Sequence, residues 1–97
     1  MDMIRVVAQF ELKPGNLDKA VEVATELVGE TRKEEGCEQY DFFKSSKDEN
    51  HLVLLERWRS QEDLDKHFKL PHFVELVPKL GELCVKAPVI ETVDPLF

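Results

Sequence analysis

The hydrophobic residues of this chain change their spacing along the sequence, and the order of those changes constrains the fold more than any other feature. Residues 3–13 alternate between two faces, and the apolar face is formed by Ile4, Val6, Ala8, Phe10 and Leu12. A period of two is typical of a β-strand. Residues 16–34 then place apolar side chains at helical spacing. They predict an amphipathic helix.

The ends of this first helix carry signals of their own. Asn16 follows a Pro-Gly pair and suits the N-cap position. Lys33 falls in the predicted last turn, where a positive charge complements the helix dipole. Gly36 suits the position just after the helix, because glycine adopts the left-handed conformation without strain.

Three further stretches have strand character. Residues 37–46 and 51–59 are joined by polar turn residues at 45–50, which indicates a hairpin. Residues 86–94 form the last predicted strand, and Pro88 favours an edge or bulged position because proline donates no backbone hydrogen bond.

Two helical segments lie between the hairpin and the last strand. Ser60 and Asp63 resemble a capping box, which opens a short helix that reaches about Phe68. Pro71 suits the first turn of a further helix. Pro78 should kink or shorten that helix, because proline lacks the amide proton that the helix needs.

The resulting order is β-α-β-β-α-β, a ferredoxin-like α+β arrangement in one domain over residues 1–97. Helices should cover one face of a four-stranded antiparallel sheet. The other face also carries apolar side chains, including Val7, Val53 and Leu55. Since an exposed patch of this kind favours association, we expect a homodimer with sheet packed on sheet. The alternative is a monomer with ordinary exposed aliphatic residues.

Composition excludes several classes of function. The net charge of −7, with no basic run longer than Arg32-Lys33, argues against a nucleic-acid partner. No apolar run approaches the roughly 18–20 residues that cross a membrane, and the start lacks a secretory signal. We therefore expect a cytoplasmic protein. Cys37 and Cys84 form no CxxC pair, so both are expected to be free and buried.

Candidate chemistry concentrates in residues 35–73. Glu56 and Trp58 are two apart on one strand and share a face, so Glu56 lies either in a pocket or in a cross-strand pair with Arg5 or Lys44. His67 ends the short helix and can accept a proton near neutral pH, or can simply complement the helix dipole. His72 is either an anion contact or a surface residue. No metal site is expected, because the histidines lack an i, i+4 spacing and no carboxylate completes a triad.

The order of these residues resembles the antibiotic biosynthesis monooxygenase (ABM) domain family. The matching positions, in chain order, are Glu35-Gly36-Cys37, Tyr40, Glu56-Arg57-Trp58, Leu64, His67 and Pro71-His72-Phe73. The resemblance implies a dimeric α+β barrel, with a pocket between sheet and helices in each subunit. It covers nearly the whole chain.

The same resemblance implies a function. Family monooxygenases activate O2 without metal, flavin or haem, by deprotonating a quinol or dihydroxyarene whose anion reacts with O2. The implied catalytic residues are His67 as the base, with Trp58 and Tyr40 as wall and orienting groups. The implied substrate-binding residues are Glu56, His72, Phe73 and Phe42. The implied partner is a small-molecule substrate, and no cofactor is expected.

Other functions in this family remain open at this point. A haem-degrading branch is disfavoured, because its Asn, Trp and His positions here hold Ala8, His67 and Val77. An isomerase-like proton transfer on a phosphorylated sugar would use the same histidines without O2. A non-catalytic dimeric binding module is the third alternative.

Overall fold

The computed structural model describes residues 3–97, and its elements follow the predicted order. The strands are Ile4–Glu11 (β1), Cys37–Lys44 (β2), His51–Trp58 (β3) and Val89–Val93 (β4). The helices are Leu17–Thr31 (α1), Gln61–His67 (α2) and Pro71–Glu82 (α3). The ferredoxin-like α+β fold is therefore confirmed, with two helices before the last strand.

The four strands form one antiparallel sheet in the order β2-β3-β1-β4. The two long central strands pair over their whole length, from Ile4 opposite Trp58 to Glu11 opposite His51. The last strand is an edge strand, as Pro88 predicts, but it is shorter than 86–94. Pro88 lies just before its first residue, where its missing amide proton costs no sheet hydrogen bond.

The hydrophobic core lies between the sheet and the helices. Alternation places every second side chain of each central strand on the side of the sheet that faces the helices. Helical spacing places the apolar residues of α1 and α3 on the faces that pack against those strands. The buried residues of β1, α1 and α3 include Val6, Ala8, Phe10, Ala20, Leu27, Leu76 and Leu80. Within residues 3–97, no helix covers the opposite face of the sheet.

Several predicted boundaries of the helices are wrong. Helix α1 ends at Thr31, three residues early, so Lys33 and Gly36 do not serve as its C-terminal signals. Asn16 occupies the N-cap position, but its side chain donates to the Leu83 carbonyl at 3.1 Å rather than capping the helix. Helix α3 continues through Pro78 to Glu82 instead of stopping there.

Gly36 has a different role from the predicted one. A Cβ atom at Gly36 would overlap the side chain of Asp63, which belongs to α2. The absence of a side chain thus lets α2 pack directly against the turn that leads into β2. None of the helices within residues 3–97 has the length and apolar composition needed to cross a membrane.

Candidate functional site

Glu56 and Trp58 share the inner face of β3, as their spacing predicts. Trp58 is fully buried and Glu56 is 6% exposed. The indole Nε1–H of Trp58 donates to Oε1 of Glu56 at 2.8 Å. Glu56 therefore bonds with its own neighbour on the strand, and the predicted alternative of a cross-strand pair with Arg5 or Lys44 is not formed. Burial raises the pKa of Glu56 to about 7, and the negative charge of Glu34 adds to that rise.

Two histidines meet at one carboxylate beside this pair. The Nδ1 atom of His67 lies 2.7 Å from Oε2 of Glu34. The Nε2 atom of His72 lies 2.7 Å from the same oxygen. We refer to these three residues as the Glu34–His67–His72 cluster. Because each ring nitrogen that faces the carboxylate must carry the proton, neutral His67 has its free electron pair on Nε2.

Local sequence explains how the three side chains converge. The hydroxyl of Ser60 accepts the amide proton of Asp63, so α2 begins there and ends on His67. Pro71 then starts α3 and places His72 in its first turn. Glu34 enters from the turn after α1. Three separate segments thus supply the cluster.

Aromatic rings enclose His67, which is 1% exposed. Its ring centroid lies 4.5 Å from that of Trp58, 5.0 Å from that of Phe73 and 5.7 Å from that of Tyr40. Burial lowers the pKa of His67, although the hydrogen bond and charge of Glu34 oppose that change. The imidazole is thereby held neutral at neutral pH, the form that can accept a proton.

Tyr40 is buried on β2, edge-on to both Trp58 and His67. Burial raises the pKa of Tyr40, and the charge of Glu56 raises it further. The phenol therefore keeps its proton at neutral pH. It can pack against a ligand or donate a hydrogen bond, but it cannot act as a base.

A cavity of about 450 Å³ lies beside the cluster. Its lining includes the cluster carboxylate and the indole next to it, together with charged residues of α2 and the following turn. These lining residues are Glu34, Glu35, Gly36, Trp58, Asp63, Lys66, Lys69 and Leu70. Glu34 and Trp58 line the cavity and also contact His67, whereas His67 itself is buried behind them and is not a lining residue.

A second, more apolar cavity of about 670 Å³ lies between α1 and the ends of β2 and β3. Phe42 lines this second cavity, together with Val21, Val28 and Leu52. Its ring is edge-on to Tyr40 at a centroid distance of 6.2 Å. The structure thus brings together six of the seven predicted site residues, namely Tyr40, Glu56, Trp58, His67, His72 and Phe73. It places Phe42 on the other side of Tyr40.

Glu34 is the residue that sequence reasoning missed. The premise that no carboxylate accompanies the two histidines is wrong, because Glu34 bonds to both. A helix over 16–34 places Glu34 on a solvated helix end. The actual helix ends at Thr31, and the turn buries the Glu34 side chain to 11% exposure. No spacing rule links residues 34, 67 and 72, so only the tertiary fold reveals the cluster.

Comparison with known proteins gives one family. The family model described as "Antibiotic biosynthesis monooxygenase" matches residues 3–79. A Mycobacterium tuberculosis protein named "Putative monooxygenase Rv0793" is 32% identical over 93 residues, which are 96% of this chain and 91% of that protein. A solved structure described as "Crystal structure of antibiotic biosynthesis monooxygenase" has a TM-score of 0.90 at 33% identity, covering 97% of this chain and 99% of its own.

A longer relative also matches. The Synechocystis sp. protein named "Uncharacterized protein sll1783" is 30% identical over 90 residues, which are 93% of this chain. The matched region spans 61% of that protein's length.

Proposed function

The chain belongs to the antibiotic biosynthesis monooxygenase family, and from that premise we propose that it oxidises a small quinol or other electron-rich hydroxyarene with O2. In this reaction a quinol and O2 give a hydroxyquinone and water. The substrate supplies all four electrons that reduce O2, two from hydroxylation of a ring carbon and two from conversion of the quinol to a quinone. The reaction therefore balances without a separate reductant.

The observation that carries this proposal is the Glu34–His67–His72 cluster beside a cavity. His67 is held in one tautomer by Glu34, and Trp58 packs on its ring. A carboxylate that orients an imidazole also stabilises the imidazolium formed when the imidazole takes a proton. In the proposed reaction His67 accepts the proton of a substrate hydroxyl, and His72 is a second polar contact.

The surroundings suit the rest of the reaction. Trp58 lines the cavity, and the rings of Tyr40 and Phe73 lie edge-on to the imidazole of His67. Deprotonation makes the arene ring electron-rich, so that it can transfer an electron to O2. The protein then contributes orientation, exclusion of water and proton transfer.

The experiment is O2 uptake with menadiol, corrected for autoxidation. Wild-type protein should consume O2 well above the background rate. His67→Asn and Glu34→Gln should each reduce that excess by about 100-fold or more, the usual contribution of a positioned base. His51→Asn is the matched control, because His51 lies at the start of β3 outside the cluster and should leave the rate unchanged. No excess uptake by the wild type, or equal rates in all variants, would contradict the proposal.

A second candidate function is proton transfer on a phosphorylated keto-sugar. Lys66 and Lys69 line the cavity and offer positive charge to a phosphate group. Isomerisation of such a sugar without O2 consumption, lost in Glu34→Gln, would favour this function. If neither reaction occurs, a non-catalytic binding role replaces both.

We further propose that two copies pair through the sheet face that the helices leave open. Val7, Val53 and Leu55 lie half-buried on that face, and Phe43 is 51% exposed. The Nε atom of Arg57, on the same face, is buried without a hydrogen-bond acceptor among residues 3–97. A second copy can cover the apolar residues and supply an acceptor for Arg57.

A further inference from the structure

The Glu34–His67–His72 cluster has a second property that proton transfer does not require. Its three donor atoms come from three separate segments and all lie within 4.8 Å of one another. Each residue offers one ligand atom, and the set is two imidazole nitrogens and one carboxylate oxygen. We propose that this cluster binds one divalent first-row transition-metal ion.

The distances in the cluster fit a shared ion. Each histidine nitrogen lies 2.7 Å from Oε2 of Glu34. Ligands held about 2.0–2.2 Å from one metal ion at right angles are about 3 Å apart. The two histidine nitrogens lie within 4.8 Å of each other, so the three atoms can close on one ion once each ring nitrogen that faces Glu34 has given up its proton.

The chemistry of the donors selects the class of metal. Two imidazoles and one carboxylate suit zinc, iron, cobalt and nickel, whereas calcium and magnesium prefer sites made wholly of oxygen. The same donor set with open positions is found in non-haem iron(II) sites and in catalytic zinc sites. The single negative charge of Glu34 offsets half the charge of a divalent ion.

The surroundings give such an ion both a rigid wall and an entrance. Trp58 and Phe73 pack on the ring of His67 and fix its orientation. Packing that fixes the rotamer of a ligand side chain pre-organises a metal site. Glu34 also lines the cavity of about 450 Å³, so water can complete the coordination from that side.

A metal ion in this cluster would differ from the metal-free chemistry that the family resemblance implies. The metal-bound cluster and the metal-free base are different states of His67, because a metal ion on Nδ1 leaves the ring proton on Nε2. Metal binding is measured without any substrate, so it is tested apart from the proposed function. A protein that binds metal but oxidises no quinol would support this inference and contradict the other.

The experiment is titration of untagged protein with Co²⁺, followed by its visible absorption, and with Zn²⁺, followed by calorimetry. Wild-type protein should bind one equivalent of each metal per chain. Glu34→Gln and His72→Asn should each weaken binding by at least about tenfold, the lower limit seen when even a supporting residue is lost. His51→Asn removes the one histidine outside the cluster and should bind as the wild type does.

A second measurement needs no variant and covers the case in which one fails to fold. In histidine NMR spectra of the wild type, one equivalent of Zn²⁺ should shift the His67 and His72 signals and leave those of His51 in place. Absence of saturable binding would overturn the proposal. So would equal affinity in the wild type, Glu34→Gln and His72→Asn, or a shift confined to His51.

Discussion

At the scale of single residues, Glu56 links the site to the pH dependence of stability. Its carboxyl is buried, bonded to the Trp58 indole and paired across the strands with Tyr40, which keeps its proton. Because the pKa of Glu56 is about 7 in the folded protein, above the value of about 4.3 in an unfolded chain, protonation favours folding. Its contribution is complete below the unfolded value and is lost as the pH rises through about 7.

Glu56→Gln should remove this dependence, because an amide oxygen can still accept the indole proton and carries no charge. Between pH 5 and pH 8 the wild type should lose up to about 3 kcal/mol more unfolding free energy than the variant. Urea denaturation at both pH values measures the difference. Glu62→Gln, an exposed change on α2, is the control and should follow the wild type. Parallel curves for the wild type and Glu56→Gln would show that Glu56 is ionised in the folded protein.

The sequence predicts part of this site well and part not at all. Alternation along one strand is enough to place Glu56 and Trp58 on the same buried face. It does not tell whether Glu56 bonds within its strand or across the sheet, because that depends on side-chain geometry. The role of Glu34 cannot be predicted in this way, because its contact with His67 and His72 depends on how two turns and two helices pack.

At the scale of elements, periodicity predicts every helix and strand, and the errors lie at their ends. Gly36 shows why. Its sequence context is that of a helix C-terminus, yet its lack of a side chain serves the packing of α2 through Asp63. Asp63 is itself held by two hydrogen bonds from Arg59, at 2.8 and 3.1 Å. A contact between two elements, and not the end of α1, therefore decides the residue at this position.

Gly36→Ala tests that contact. The added Cβ must displace Asp63 or α2, so the unfolding free energy should fall by about 1–3 kcal/mol. In an Asp63→Ala background the same change should cost much less, which gives a positive coupling in a double-mutant cycle. Gly29→Ala is the matched control, because nothing lies within 4 Å of its Cβ position in α1, and it should stabilise the helix. Equal costs of Gly36→Ala in both backgrounds would contradict this account of α2 packing.

At the scale of the whole molecule, the open sheet face bears on assembly. Arg5 and Arg57 lie directly opposite each other on this face, and Asp41 and Glu91 lie in the neighbouring row. Like charges opposite each other on a sheet are unfavourable unless opposite charges approach them. A second copy, related by a two-fold axis, can place its acidic residues against these arginines. It can place its apolar residues against Val7 and Leu55.

Leu55→Asp should therefore disrupt the pair of chains. Light scattering of the wild type should give about 22 kDa, twice the 11.2 kDa of one chain, and the variant should give one chain's mass. Val74→Asp, at an exposed position on α3, is the control and should keep the larger mass. A wild-type mass of one chain at micromolar concentration would exclude the pairing.

The central proposal is that proton transfer to the cluster of Glu34 with two histidines lets a bound quinol react with O2 and gain one oxygen atom. Menadiol oxidation under ¹⁸O2, with mass analysis of product and water at early times, tests it most directly. The account predicts one labelled atom in a hydroxylated quinone and the other in water, with label in the product lost in Glu34→Gln and kept in His51→Asn. Unhydroxylated quinone as the only product, or the same labelled yield from Glu34→Gln, would contradict it.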